Sequence, residues 1–226
     1  MTTQNSKLKT QNVYLSSAYL APIEYYSKLL AYDTVFIEQH DHYMKQTYRN
    51  RCNIVGPGGI LPLSIPTVKP ESLKCAMKDI RISDHGNWRH LHWNAIESAY
   101  NNTPFFEYYK DDFAPFYEKK YTYLFDFNEE LRKLICELID ITPTVEYTSA
   151  YKTEFAASEH DFRETIHPKK DFKTEDTEFL SIPYYQVFES RHGFLPNLSI
   201  IDLLFNMGPE SLLLLTCRGG WRTAQL

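Results

Sequence analysis

Segment 13–37 constrains the fold more strongly than any other part of this chain. Residues 13–19 alternate and are rich in Tyr and Leu, which predicts a strand, and the β-branched run at 34–37 predicts a second one. Between them, Pro22 suits the first turn of a helix, because its missing N–H costs nothing there. A strand, a helix and a strand in so few residues predict a βαβ unit and therefore a parallel strand pair.

Further strands are predicted after this unit. Residues 51–55 and 61–65 flank the GPGG sequence at 56–59, which indicates a β-hairpin, and residues 79–83 predict another short strand. Residues 148–183 are charged and weakly periodic, which favours a long loop with short ordered pieces.

Three helices are predicted between residues 87 and 138, and an apolar helix near residue 200 is predicted to be the last. Caps, prolines and a glycine indicate where these helices begin or end. The residues predicted at helix boundaries are Asn87, Pro104, Asp126, Pro196 and Gly208.

Together these elements predict an α/β fold. Its mixed sheet contains the βαβ unit, is flanked by helices in three layers, and belongs to a single domain. We expect that domain to span residues 13–215, between a flexible N-terminal segment at 1–12 and a C-terminal tail at 216–226.

Composition and charge exclude several classes of protein. The 226 residues carry a net charge of −5, which argues against a nucleic-acid partner. No apolar run approaches the roughly 20 residues that span a bilayer, and the polar N-terminus lacks the apolar core of an export signal. The four cysteines form no CxxC pair, so we expect reduced thiols, no disulfide and a cytoplasmic location.

Two His-x-His pairs, at 40–42 and 90–92, raise the question of a metal site. Alternate residues of a strand share a face, so such a pair can present two ligands to zinc. The second pair lies in a predicted helix, however, where residues two apart diverge. Neither pair matches a metal signature, and we expect no metal and no cofactor. The chain also lacks a P-loop, a GxSxG elbow and an HExxH motif.

Segment 40–51 carries the densest group of chemically active side chains. It is predicted to lie past the carboxyl end of the second strand, where open α/β sheets bind ligands. Lys45, Arg49 and Arg51 are interleaved there with Tyr43 and Tyr48. Such cations bind phosphate or carboxylate, with Arg giving a bidentate fork and Lys a point charge. The alternative is a solvated basic edge.

Asp202 lies inside an otherwise apolar helix. Its carboxylate must face solvent or find a partner, because burying it unpaired is costly. Ser199 lies three residues earlier, on the same face and near the helix N-terminus, which favours anions. The alternative is a structural role, in which Asp202 holds an arginine or backbone amides.

Four motifs, taken in order, resemble those of the WbqC-like protein family. They are Lys-x₄-Asn-Arg at 45–51, Ala-Tyr-x₃-Pro-Phe at 99–105, Tyr-Gln-x-Phe at 185–188 and Leu-Ser-Ile-Ile-Asp at 198–202. Ser17-Ala18 stands where many members carry Gln-Pro, which weakens inferences about the tip of the first strand.

The resemblance implies a transferase in bacterial surface-polysaccharide assembly of the O-antigen type, with transfer of glycine to a sugar as one suggested reaction. By motif it implies functional roles for Lys45, Asn50, Arg51, Tyr100, Gln186, Ser199 and Asp202, while His40 and His92 match closer members only. The expected partner is a small sugar substrate that carries phosphate or carboxylate.

Two functions remain open from the sequence. In a transferase, Lys45 and Arg51 would hold the anionic group, and Asp202 or His92 would be the general base that activates an amine or hydroxyl. In a non-enzymatic binding module for a nucleotide-sugar or glycan intermediate, the same cations would serve and Asp202 would be structural. Catalysis requires Asp202 or His92 to reach the cleft that contains Lys45 and Arg51.

Overall fold

The parallel strand pair predicted from segment 13–37 lies at the centre of the fold. The computed structural model describes residues 10–70, 72 and 74–216, and in it β1 (Asn12–Ser16), α1 (Ile23–Ala31) and β2 (Thr34–Glu38) follow in order. β1 and β2 pair in parallel, with Val13 beside Val35. The predicted α/β class and βαβ unit are confirmed. Most of the predicted N-terminal segment and C-terminal tail lies outside the described residues.

The predicted hairpin is also present, as β3 (Arg51–Gly56) and β4 (Gly59–Ser64), and it forms an antiparallel sheet of its own. In the described part of the chain, the remaining α-helices are α2 (Trp88–Tyr100), α3 (Phe106–Glu118), α4 (Leu124–Leu138), α5 (Phe172–Glu175), α6 (Glu189–His192), α7 (Ile200–Met207) and α8 (Ser211–Thr216).

Two three-residue strands complete the parallel sheet. β5 (Val145–Tyr147) pairs with β2, and β6 (Glu159–Asp161) pairs with β1, so the order is β5-β2-β1-β6. β6 and α5 are the short ordered pieces inside the long loop predicted at 148–183.

The core lies on one face of the two central strands. Val13, Leu15, Val35 and Ile37 are at most 1% exposed, and each such side chain contributes roughly 1.5–3 kcal/mol when buried. Ile23, Tyr26 and Leu29 of α1 are buried in the same hydrophobic core. The alternate residues of the strands and the residues on one face of the helix are therefore buried in a single core.

Four local predictions differ from the structure. Residues 79–83 are not a continuous strand, because the amides of Asp79 and Ile80 close a 3₁₀ turn and only isolated bridges follow. Asp126 lies inside α4. Asn87 has a left-handed backbone and makes no side-chain cap bond. α7 begins after Ser199 rather than at Pro196, whereas Gly208, at φ +54°, does end it.

Cys52, Cys75 and Cys136 are free thiols, and Cys217 lies outside the described residues. Among the helices that the structure describes, none has the length and apolar character needed to cross a membrane.

The segment that follows β1, residues 17–22, contacts two other parts of the fold. The amide of Tyr19 donates to the carbonyl of Tyr48 at 2.9 Å. The amide of Ile200, at the start of α7, donates to the carbonyl of Ala21 at 2.9 Å. The loop after β2 and the N-terminal end of α7 therefore both lie against the chain that leaves the carboxyl end of β1.

Candidate functional site

A group of charged side chains lies at the carboxyl edge of the parallel sheet. Strands β1, β2 and β6 end there at Ser16, Glu38 and Asp161. Parallel strands present their carboxyl ends at one edge, which is where open α/β sheets bind ligands. We name this group the edge cluster; its members are Glu38, Asp41, Arg49, Asp161, Arg163 and Glu164.

Arg49 binds two carboxylates that differ in exposure. Its Nε donates to Asp41 Oδ2 at 2.9 Å, and its Nη2 contacts both Asp41 and, at 2.6 Å, Glu164 Oε1. The side chains of Arg49 and Asp41 are 3% and 5% exposed, but that of Glu164 is 49% exposed. Burial raises the pKa of Asp41, and the charge and hydrogen bonds of Arg49 oppose that rise.

Arg163 connects the ends of β2 and β6. Its Nη1 donates to Glu38 Oε2 at 2.8 Å and its Nε to Asp161 Oδ1 at 2.8 Å. The hydroxyl of Thr148, which follows β5, donates to the other oxygen of Glu38 at 2.7 Å. The guanidinium also lies 4.4 Å from the ring centroid of Tyr151, a side chain that is half exposed. Arg163 is therefore held on every side by the chain itself.

A small pocket lies beside the two arginines, with room for about one water molecule. Ser16 forms part of its wall, and its hydroxyl donates to the carbonyl of Arg163 at 3.1 Å. Ser17 also lines the pocket and accepts from Asn128 Nδ2 at 3.1 Å. The position where this chain departs from the Gln-Pro of many family members is thus part of the pocket wall.

Three of the site residues predicted from the sequence meet at the end of β4. Arg51 Nε donates to Ser64 Oγ at 3.0 Å, and the ring of His92 hydrogen bonds with the backbone of Ser64. Asn50 is buried, and its Nδ2 donates to the carbonyl of Ile65 at 2.9 Å. Asn50 therefore holds β4 against the start of β3.

His92 is only 6% exposed and is enclosed by aromatic side chains. Its Nδ1 lies 3.0 Å from the hydroxyl of Tyr19, which lies 2.9 Å from the hydroxyl of Tyr117. Burial lowers the pKa of His92 to about 4, so the ring is neutral at physiological pH.

Four of the remaining six predicted site residues lie further along β3; they are Tyr100, Gln186, Ser199 and Asp202. Asp202 is 0% exposed and accepts from the hydroxyls of Tyr100 at 3.0 Å and Tyr184 at 2.6 Å, and from Gln186 Nε2 at 2.9 Å. The hydroxyl of Ser199 instead donates to the carbonyl of Leu20 at 2.7 Å. This network of Asp202 ties α2, α7 and loop 184–186 together.

Burial raises the pKa of Asp202 to about 6, while the three donors act in the opposite direction. Asp202 is therefore mostly ionised at pH 7, and neutral donors rather than a cation hold the charge. Burial also raises the pKa of Tyr100 well above its usual range, so its hydroxyl stays protonated.

Lys45 is exposed and His40 is half-buried, both in the loop that follows β2. The backbone amide of His40 donates to Glu38 Oε1 at 2.8 Å, which places it beside the edge cluster. Among the described residues, neither Lys45 nor Arg51 forms an ion pair. In the part of the chain that the structure describes, no three His, Cys, Asp or Glu side chains are arranged so that they could hold one metal ion together.

Seven of the nine predicted site residues thus form two groups, at opposite ends of β3, rather than one cleft, while Lys45 and His40 lie in the loop that follows β2. Arg51 and Val55, whose amide donates to Tyr100 Oη at 3.4 Å, are separated by about 13 Å at roughly 3.3 Å per strand residue. The sequence reasoning missed the edge cluster apart from Arg49. The available signal was the charged residues next to strand ends, as in the DFRET stretch at 161–165.

Comparisons with known proteins point to one family. The model of the WbqC-like protein family matches residues 17–166, which include His92 and the whole edge cluster. An uncharacterised protein of Mycobacterium tuberculosis, Rv1507c, is 28% identical over 207 residues, which cover 82% of this chain and 89% of that protein. No solved structure matches. Because the family model matches more than half of the chain, this chain belongs to the WbqC-like protein family.

Proposed function

We infer that this protein is a cytoplasmic transferase that modifies a small anionic sugar substrate in bacterial surface-polysaccharide assembly, by transfer of an aminoacyl group such as glycine. The observation that carries the proposal is the edge cluster, which places two arginines at the carboxyl ends of three parallel strands. The family supports the pathway, and the site supports a substrate that carries phosphate or carboxylate.

Lys45 and Arg51 support the same substrate class. Their charges are not neutralised by any carboxylate of the described residues, and Arg51 lies two residues after Arg49. Uncompensated cations next to a binding site raise the local concentration of an anionic ligand. In this proposal they guide the substrate, and Arg49 fixes its anionic group.

The transfer itself needs no covalent intermediate on the protein. An amine of the acceptor attacks the acyl carbonyl, a C–N bond forms, and the bond to the leaving group breaks with its electron pair. Holding both reactants in one geometry contributes much of such a rate enhancement, and a guanidinium stabilises the oxyanion that forms. Asp202 and His92 are the residues proposed to accept the proton; through Tyr19, His92 connects to the chain that leaves β1.

A second function, a non-enzymatic binding module for a nucleotide-sugar or glycan intermediate, is favoured by one observation. Both proposed bases are enclosed, with Asp202 at 0% and His92 at 6% exposure. A general base must reach the proton that it removes, directly or through one water. Incubation with an activated glycyl ester and an amino sugar separates the two functions, because only a transferase yields a product one glycyl residue heavier in mass spectrometry.

We predict that Arg51→Gln weakens the binding of UDP-glucose, a nucleotide-sugar probe, by about tenfold, which is about 1.4 kcal/mol. The dependence of the dissociation constant on salt should also become shallower, because one charge contact is lost. Isothermal titration calorimetry at two salt concentrations measures both effects. Lys173→Gln, a change of an exposed lysine on α5, is the matched control. Unchanged affinity in Arg51→Gln would remove Arg51 from the site.

A further inference from the structure

We propose that Glu164 occupies the position of the ligand's anionic group on Arg49, and that the ligand must displace it. This inference rests on the proposed function, and it adds how access to the site is controlled. Glu164 would act as a counter-ion that leaves when a phosphate or carboxylate group binds.

The two carboxylates on Arg49 have unequal environments. Asp41 is buried and binds the Nε side of the guanidinium, so it neutralises Arg49 permanently. Glu164 reaches the same Nη2 from the protein surface, with about half of its side chain exposed. Water can solvate the half-exposed carboxylate of Glu164 when it leaves, and Arg49 keeps its buried partner Asp41, so the loss of this contact leaves no buried charge unpaired. Glu164 can therefore leave Arg49 at small cost, whereas Asp41 cannot.

The charge balance of the edge cluster makes the exchange necessary. Two guanidinium groups face four carboxylates, those of Glu38, Asp41, Asp161 and Glu164. A further anion added to this group would meet a net negative charge, and like charges at close range repel. An anionic group that replaces Glu164 restores the present charge balance. The proposed ligand class and the cluster are compatible only through such an exchange.

Displacement of Glu164 also changes the space at the site. The adjoining pocket is lined by Arg49 and Arg163, among other residues, and has room for about one water molecule. A phosphate does not fit that volume. When the carboxylate of Glu164 swings outward, the space that it occupied beside the Nη2 of Arg49 becomes available to the ligand.

His167 lies in the same loop and supports an anion at this position. Its pKa is lowered, chiefly by burial, while the nearby charge of Glu164 acts to raise it. Its Nδ1 accepts from the backbone amide of Lys169 at 3.1 Å, so in the neutral ring the proton is on Nε2. The charges of both Glu164 and Arg49 act on His167, so this N–H lies in a ring close to the proposed anion position.

The test compares the binding of inorganic phosphate to four forms of the full chain by isothermal titration calorimetry. Glu164→Gln keeps the shape of the side chain but removes its charge, so phosphate affinity should rise about tenfold, since the ligand no longer competes with a carboxylate. Glu107→Gln is the matched control, because Glu107 is also an exposed carboxylate paired with a cation, Lys110 on α3. The phosphate affinity of this variant should equal that of the wild type. Glu164→Gln combined with Arg49→Lys should lose the gain, which assigns it to the guanidinium of Arg49.

The outcomes separate this inference from the proposed function. If wild type and Glu164→Gln bind phosphate equally well, the displacement idea is wrong and the anion-binding function stands. An equal gain in Glu107→Gln would assign the effect to overall charge and would also overturn the inference. If no form binds phosphate, the anionic substrate class fails together with the inference. Circular dichroism of each variant checks that it is folded.

Discussion

Asp202→Ala should lower the free energy of unfolding by about 3–5 kcal/mol, because it leaves two buried hydroxyl donors without an acceptor and removes one of the acceptors of Gln186 Nε2. The hydroxyls of Tyr100 and Tyr184 and the amide of Gln186 all donate to this carboxylate. For a chain of this size, the loss corresponds to a decrease in melting temperature on the order of 10 °C. Asp202→Asn keeps one acceptor oxygen and should have a smaller effect. Thermal unfolding followed by circular dichroism measures both.

Asp112→Ala, which changes an exposed aspartate on α3, is the control and should leave the melting temperature nearly unchanged. A double-mutant cycle with Tyr184→Phe tests the mechanism. If the Tyr184 hydroxyl acts through Asp202, its removal should cost less in the Asp202→Ala background than in the wild type. A folded Asp202→Asn protein with normal stability but no turnover would instead show that Asp202 is a catalytic base.

Glu24→Gln should stabilise the protein at alkaline pH and have little effect near pH 5. Glu24 is buried on α1, and its carboxyl accepts from Asn197 Nδ2 at 2.9 Å and shares a hydrogen bond with Asp176. Burial raises the pKa of Glu24 to about 7, and the charge of Asp176 adds to the rise. The neighbouring ion pair between Lys28 and Asp176, at 2.5 Å, supplies a partner to Asp176.

The raised pKa of Glu24 determines how stability changes with pH. Because the native state binds this proton more tightly than the unfolded state, stability contributed by the protonated form is lost as pH rises from about 4.5 through about 7. Glutamine resembles the protonated carboxyl, since it can accept from Asn197 and donate to Asp176. The variant should therefore avoid a loss that reaches about 3 kcal/mol above pH 8, at 1.36 kcal/mol per pKa unit.

Urea unfolding at pH 5, 6.5 and 8 measures this difference, with Glu137→Gln, an exposed change on α4, as the control. The gap in unfolding free energy between Glu24→Gln and the wild type should be small at pH 5, widen mostly between pH 5 and 6.5, and approach its full size by pH 8, because the loss occurs between the unfolded and folded pKa values of Glu24. A constant gap across the three pH values would show that Glu24 does not titrate in this range, and a wild type that is more stable at pH 8 would contradict the assignment.

Local patterns in the sequence determined the centre of the fold. The alternation at 13–19 and the β-branched run at 34–37 encode which side chains face the core. Because a helix connects the two strands, they pair in parallel. The same reasoning located the GPGG hairpin and the end of α7 at Gly208. It also placed segment 40–51 just past the carboxyl end of β2, where the structure has it.

The choice of partners across long stretches of chain was decided only by the tertiary structure. β5 and β6 have three residues each, too few for a periodic signal, and they exist because β2 and β1 offer them free edges. The edge cluster needs β6, because that strand delivers Arg163 to Glu38, which is 125 positions away in the sequence.

The same limit applies to the separation of the predicted site residues into two groups. Lys45, Arg51 and Asp202 are chemically suited to one site, and no local pattern states how far apart they lie. The sequence alone determined which charged residues lie in an apolar setting. Each of them must have a partner, since burying an unpaired charge is costly. Which partner each charge found was decided by tertiary packing: Tyr100 and Tyr184 enclose Asp202, whereas Arg49 remains within reach of an exchangeable carboxylate.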